Sequence, residues 1–277
     1  MTKDNINCKK NYLHIEILSI FPEMFPATLK YSLAGKGLKN NLWSYNVTNI
    51  RDFAKDKYRS VDDKMIGGGN GLIFRADITS LAIEHVLNKY KNLKTRPTIL
   101  YPSPRGELFN QKMARDITLK TNNNIEDNII IFLCGRFEGI DERIIKYYNI
   151  KEVSIGDYIL SGGEVASIVM MDSMIRLIPG VIKNNQTLES ETFSVNSDMC
   201  YHNSLDNKNK EKASVDHVDD KSKSYLLEYP LYTKPIIWNN MEVPKILLSG
   251  NHKNISDWKK NESIKKTKQN RPEFLKE

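Results

Sequence analysis

The chain has 277 residues, 40% of them hydrophobic and 27% charged, and a net charge of +7. That composition excludes a collagen-like or wholly disordered chain and gives enough length for one large or two modest domains with a real core. No apolar run approaches the roughly 20 residues that cross a bilayer. The first residues, MTKDNINCKKNY, lack the apolar core of an export signal, so a cytoplasmic protein is expected. The cysteines, Cys8, Cys134 and Cys200, are scattered without zinc-ligand spacing and read as reduced thiols.

In chain order, residues 1–11 read as a polar, frayed leader. His14 to Ile20 is mostly apolar and short, which predicts a strand. Pro22-Glu23 opens a predicted helix to about Leu33, with proline at the first turn where its missing N–H costs little. Leu42 to Ile50 predicts a second strand, and Arg51 to Lys64 a charged loop. The run Ile66-Gly67-Gly68-Gly69-Asn70-Gly71-Leu72 lacks the Lys-Ser/Thr of a P-loop and the spacing of a dinucleotide fingerprint, so by spacing alone it is a flexible loop. Asp77 is read as the cap of a helix whose Leu81, Ile83, Val86 and Leu87 fit a helical face.

Thr98-Ile99-Leu100 predicts a third strand ending in the rigid loop Tyr101-Pro102-Ser103-Pro104-Arg105-Gly106. A helix near Gln111 to Lys120 and a strand at Ile129 to Leu133 follow. Two glycine turns come next. Gly135-Arg136-Phe137-Glu138-Gly139 follows the apolar run to Cys134, and Ser161-Gly162-Gly163-Glu164 follows Val153 to Leu160. Each leads into a helical pattern. Glycine lets a ligand touch the backbone, so two such turns at strand ends suit a nucleotide-like ligand gripped by main-chain groups. The plainer alternative is that they only turn the chain. Alternating strands and helices predict an α/β fold with a parallel sheet, whose ligands lie at the carboxyl ends of strands, where Tyr101, Gly135 and Leu160 would fall.

Glu164 to Leu177 predicts a helix apolar nearly all round, hence buried or at an interface, ended by Pro179-Gly180. From Val195 to Ser224 the chain is rich in Asn, Asp, Lys and Ser and cannot bury enough apolar area to offset ordering entropy. Order is expected to resume at Tyr229-Pro230, with a Lys-rich helix from Ser256 closed by Arg271-Pro272-Glu273. Residues 251–277 carry eight basic and four acidic residues, a solvated face or a surface that tracks phosphates.

The order GRFEGIDER, SIGDYILSGGE, IPGV resembles the bacterial tRNA (guanine-N1)-methyltransferase family of the SPOUT class, from about Leu13 to Leu275. The resemblance implies a SPOUT domain with a deep trefoil knot over residues 12–182, a linker over 183–224, and a small helical tRNA-gripping domain over 225–277. It also implies a homodimer whose active site uses both subunits, with no membrane association. The implied reaction moves the methyl group of S-adenosylmethionine to N1 of the guanosine just 3′ of the anticodon, position 37; need for a divalent ion is left open.

Such a reaction needs near-attack placement, a base for the N1 proton, and a cation or donor at the growing O6 charge. The resemblance assigns the cofactor contacts to Tyr101, Pro102, Ser103, Gly135, Phe137, Glu138, Gly139, Ser154, Ile155, Gly156, Tyr158, Leu160, Gly162 and Gly163. It places Glu191 as base, where many relatives have Asp, and Arg176 at O6. Their alternatives are an exposed linker acid and an ion pair with Asp172, four residues away. Asp63, Gly68 and Gly69 are assigned to the target guanosine and Lys259 and Lys266 to phosphates. No metal ligands are assigned. The chain departs from the family at Pro102, Arg105, Phe137 and Ala166. Two alternatives remain: a SPOUT enzyme acting on another RNA site, and a non-catalytic RNA-binding module.

Overall fold

The computed structural model describes residues 12–119, 128–183, 188, 191–193 and 225–275. The expected leader, Lys120 and most of the expected linker lie outside these residues. The chain forms two compact units, Met1–Lys183 and Asn184–Glu277.

The first unit is built on five strands: β1 (Leu13–Ser19), β2 (Trp43–Asn49), β5 (Thr98–Leu108), β6 (Ile129–Leu133) and β7 (Lys151–Ser154). Their order is β2-β1-β6-β5-β7, and every neighbouring pair is parallel. The expected α/β class with a parallel sheet is borne out. The middle strand β6 is a continuous apolar run, IIIFL, and is buried throughout, as a strand covered on both faces requires. Among the described residues of this unit are five α-helices: α1 (Ser32–Lys39), α2 (Ala76–Lys89), α3 (Gln111–Leu119), α4 (Glu142–Tyr148) and α5 (Gly163–Ile175). Helix α2 packs with α4, whereas α1 and α3 pack with α5.

Several local expectations are corrected. Pro22 to Leu33 is not one helix: Pro22–Met24 and Ala27–Lys30 are separate 3-10 turns, and α1 starts only at Ser32. Pro26 between the turns cannot donate to a continuous helix. Asp77 is not a cap. The helix is entered at Arg75, and the Asp77 carboxylate instead takes bonds of 3.1 and 2.7 Å from the Arg75 guanidinium. The expected loops at Arg51 to Lys64 and Ile66 to Leu72 run instead into an antiparallel hairpin, β3 (Asp62–Lys64) with β4 (Leu72–Phe74), whose tip is the glycine run. Strand β5 runs past Leu100, so Tyr101 lies within it. Pro102 and Glu107 both pair with Val153, and the residues between them loop out as a bulge.

The second unit holds a hairpin of β8 (Ile237–Trp238) and β9 (Met241–Glu242), and the helix α6 (His252–Asn270). That helix starts at His252 rather than Ser256, because the Asn251 side chain accepts from the Asn254 N–H at 3.2 Å and caps it. Phe193, Tyr225 and Phe274 form an edge-to-face cluster with ring centres 5.4 to 6.1 Å apart. No helix among the described residues is long and apolar enough to cross a membrane.

One buried polar cluster ties α2 to the sheet. Glu16 on β1 is fully buried. Its carboxylate accepts from Tyr90 Oη at 2.7 Å, Asn46 Nδ2 at 3.2 Å and Lys89 Nζ at 3.2 Å, with His14 Nε2 at 3.4 Å. Burial alone would raise its pKa, but the bonds from His14, Tyr90 and Asn46 and the Lys89 charge outweigh it and hold the group at about 2. A depressed carboxylate stabilises the fold fully above its unfolded value near 4.5 and loses that contribution as pH falls through about 2. Wild-type stability, followed by urea denaturation from pH 6 to pH 2, is expected to fall across this window. Glu16→Gln is expected to be less stable at pH 6 and to show a shallower decline; parallel curves would show that Glu16 does not carry the dependence.

Candidate active site

Three backbone turns meet where β5, β6 and β7 end or bulge. The cleft between them is lined by Tyr101, Pro102 and Ser103 from β5, Gly135, Phe137, Glu138 and Gly139 from the turn after β6, and Ser154, Ile155, Gly156, Tyr158, Leu160, Gly162 and Gly163 from the segment after β7. All the residues assigned to the cofactor therefore share one cavity. Pro104, Arg136, Val153, Ile159 and Ala166 also line it and were not assigned to the cofactor from the sequence.

The cleft exists in this shape because side chains are missing. A Cβ on Gly135 would lie 2.6 Å from the Tyr101 ring, and one on Gly162 would lie 2.3 Å from Arg136 Nε. At Gly139 and Gly156, φ is +135° and +144°, a region that favours glycine. Gly163 N–H donates to Gly135 C=O at 2.8 Å, which draws the start of α5 onto the turn after β6. Loop 154–158 is held by its own bonds: the Gly156 N–H donates to Ser154 Oγ at 3.2 Å, and Tyr158 Oη donates to Ile155 C=O at 3.2 Å. Leu160 sits in the segment between β7 and α5, six residues beyond the strand end, not at the strand end itself.

Tyr101 forms part of the cleft floor and is 6% exposed. Burial, with the Glu152 carboxylate nearby, pushes its hydroxyl up to about 12 against the opposing Arg105 charge, so it stays protonated and can donate at neutral pH. Phe137 holds φ at 58° and sets its ring edge-on to Phe74 at 5.6 Å. The Cys134 thiol is buried beneath the cleft, 3.2 Å from Ser167 Oγ, and burial raises its pKa far above the usual thiol range.

A second, larger cleft of about 870 Å³ adjoins the first and shares Tyr101, Ser103, Pro104, Glu138 and Gly139 with it. Asp63 on β3 lines it. Gly68 and Gly69 stand exposed at the hairpin tip, with φ of +86° and +117°. Arg176 caps the far end of α5 and lines neither cleft. Thirteen residues of helix at 1.5 Å each put it about 20 Å along the axis from Gly163. Glu191 is half-buried in the second unit, two residues before Phe193. Lys259 lies over the Tyr229 ring at 4.5 Å, and Lys266 is exposed on α6. Among the described residues no group of three or more His, Cys, Asp or Glu is placed to hold a metal ion.

A parallel sheet whose strand ends gather glycine turns around a main-chain cleft defines an α/β protein with its cleft where ligands of such sheets lie. The family model described as tRNA (Guanine-1)-methyltransferase TrmD matches residues 13–277. The tRNA (guanine-N(1)-)-methyltransferases of Rickettsia prowazekii and Rickettsia typhi are 49% and 48% identical to this chain over 265 residues, covering 96% of it and 98% of each relative. The enzyme of that name from Rickettsia bellii is 43% identical over 300 residues, covering 96% of both chains. The chain belongs to the tRNA (guanine-1)-methyltransferase TrmD family.

The close approach of two main-chain segments in the cleft is testable on its own. A Cβ on Gly163 would lie 3.0 Å from Gly135 N and 3.1 Å from Cys134 Cα, both main-chain atoms that no rotamer can move. Gly163→Val is expected to lower the melting temperature by about 3–10 °C, the range for overpacking in a domain of this size. An unchanged melting temperature would mean that the two turns are not pressed together.

Proposed function

We propose that the protein transfers the methyl group of S-adenosylmethionine to N1 of the guanosine immediately 3′ of the anticodon, position 37, in tRNA. The observation that carries this reading is the family match, continuous from residue 13 to residue 277 and so spanning every residue of the cleft.

The cleft suits such a donor. Its walls are main chain at Gly135, Gly139, Gly156, Gly162 and Gly163, where N–H and C=O groups can meet an adenosine and a methionine portion without a Cβ between. S-adenosylmethionine supplies an electrophilic methyl on a sulfonium sulfur. Tyr101, the Ser154 to Leu160 segment and the Phe137 ring hold and pack it, and Glu138, on the boundary of the two clefts, faces both reactants. The second cleft, with Asp63 on its wall and the glycine tip beside it, has the volume for a base drawn out of its stack.

Glu191 removes the N1 proton and Arg176 stabilises the charge that grows on O6. Arg176 stands about 20 Å along α5 from Gly163, which suits a homodimer in which it serves the neighbouring copy's cleft. Val165 and Val169 are exposed on α5, 47% and 45%, and supply an apolar stripe for that contact. In the same reading residues 12–182 carry the knotted SPOUT domain, and residues 225–277 grip tRNA, with Lys259 and Lys266 on its phosphates.

Labelled S-adenosylmethionine and tRNA transcripts test the proposal. Label is expected in a transcript with guanosine after the anticodon and not in one with adenosine there. Absence of transfer, or equal transfer to both, overturns it. Glu191→Gln is expected to slow single-turnover methylation by roughly 100-fold or more while changing donor affinity less than twofold; wild-type turnover would remove Glu191 as the base.

A further inference from the structure

Arg136 and Glu164 form an ion pair that the reaction as described leaves unused. Glu164 is fully buried, and both its oxygens are engaged: Oε1 accepts from Ser19 Oγ at 2.8 Å, and Oε2 from Arg136 Nε at 2.8 Å. The same guanidinium donates from Nη1 to the Ser161 carbonyl at 3.2 Å and lies over the Phe21 ring at 4.6 Å. From the turn after β6 it thus reaches at once the start of α5, the loop ahead of α5 and the ring just beyond β1. Gly162 rests directly on it, since a Cβ there would come within 2.3 Å of Nε.

A buried ion pair is a poor device for stability, because apolar residues of the same volume hold a fold as well without the desolvation cost. What it supplies is a fixed arrangement of several segments. That is what this cleft needs, since its walls are main chain and no rotamer can restore a contact once a wall has shifted.

Resting on the proposed function, we propose that Arg136, locked by Glu164 and Ser19, is a positioning residue that sets the 161–163 wall of the donor cleft and thereby the affinity for S-adenosylmethionine. Arg136 borders the cleft, but Glu164 and Ser19 do not. Their replacement therefore reports on position and not on a lost ligand contact.

Calorimetric titration with S-adenosylmethionine and steady-state methylation of tRNA, on the full chain, test this. Glu164→Gln and Arg136→Lys are each expected to raise the donor Kd and KM at least tenfold, with kcat at saturating donor within threefold and the KM for tRNA unchanged. Ser19→Ala is expected to raise donor Kd by a smaller factor in the same direction. Folded variants with wild-type donor Kd, whatever their melting temperature, overturn the proposal, because a structural bolt alone moves stability and not affinity. If a single variant does not fold, the double variant Arg136→Met with Glu164→Met removes both charges together. It is expected to bind the donor at least tenfold more weakly, and wild-type affinity in it overturns the proposal. A wild-type protein that binds no donor fails the proposed function instead, and the two failures are told apart by that first titration.

Discussion

The 2.8 Å hydrogen bond from Gly163 N–H to Gly135 C=O is the constraint on which the rest of the site depends. It brings two stretches of main chain so close that a Cβ on Gly163 would lie 3.0 Å from Gly135 N, while at Gly162 the Arg136 side chain takes the space a Cβ would need. It also fixes where α5 begins, and so where Glu164 and Ser167 meet the end of β6. Cys134 and Ser167 close that contact from below at 3.2 Å, and Ser167 returns its own hydroxyl to the Gly163 carbonyl at 2.8 Å. The shape of the cleft is therefore a property of the sheet and of one helix start. Where a Cβ would strike a neighbour, as at Gly135, Gly156, Gly162 and Gly163, the lining position is glycine.

That is also why the cleft was legible in the sequence. A wall made of main chain must announce itself through glycines at strand ends, and the alternating apolar runs said where those ends were. What could not be read is contact across distance. Arg136 and Glu164 are 28 positions apart, and nothing in their neighbours says that one carboxylate joins the guanidinium to Ser19. The hairpin was missed because Asp62–Lys64 and Leu72–Phe74 are too short to show a period. Pro22 looked like a helix start, but Pro26 four residues later removes a donor that the helix would need. Asp77 looked like a cap, but its carboxylate had a stronger partner in Arg75 two residues earlier.

Strand β1 connects the two buried carboxylates. At its lower half Glu16 gathers Tyr90, Asn46, Lys89 and His14, and holds the end of α2 against the sheet. At its upper end Ser19 holds Glu164 and with it the start of α5. Each charge is fully desolvated and each is answered by several donors, the condition under which a buried carboxylate is tolerated. Helices α2 and α5 are thus tied to β1 by directional polar contacts as well as by the apolar core. Core packing alone would let them slide.

The hairpin extends the same logic toward the second cleft. Glu138 N–H donates to Leu72 C=O at 2.9 Å, and Phe74 N–H donates to Gly139 C=O at 2.9 Å, so β4 runs beside the turn after β6 as an added strand. Gly71, at φ +96°, lies against the Glu138 side chain, where a Cβ would come within 2.5 Å. The turn that walls the first cleft and the hairpin that walls the second are therefore one hydrogen-bonded body, and a shift in either moves Glu138. Arg105 closes the opposite side, reaching Glu152 at 3.0 Å and Glu142 at 3.5 Å. A neutral amide there would bond to these acids without balancing their charge, and the Tyr101 hydroxyl beside Glu152 would then feel that carboxylate unopposed. Arg105 thus sets the electrostatics of the floor between the two clefts.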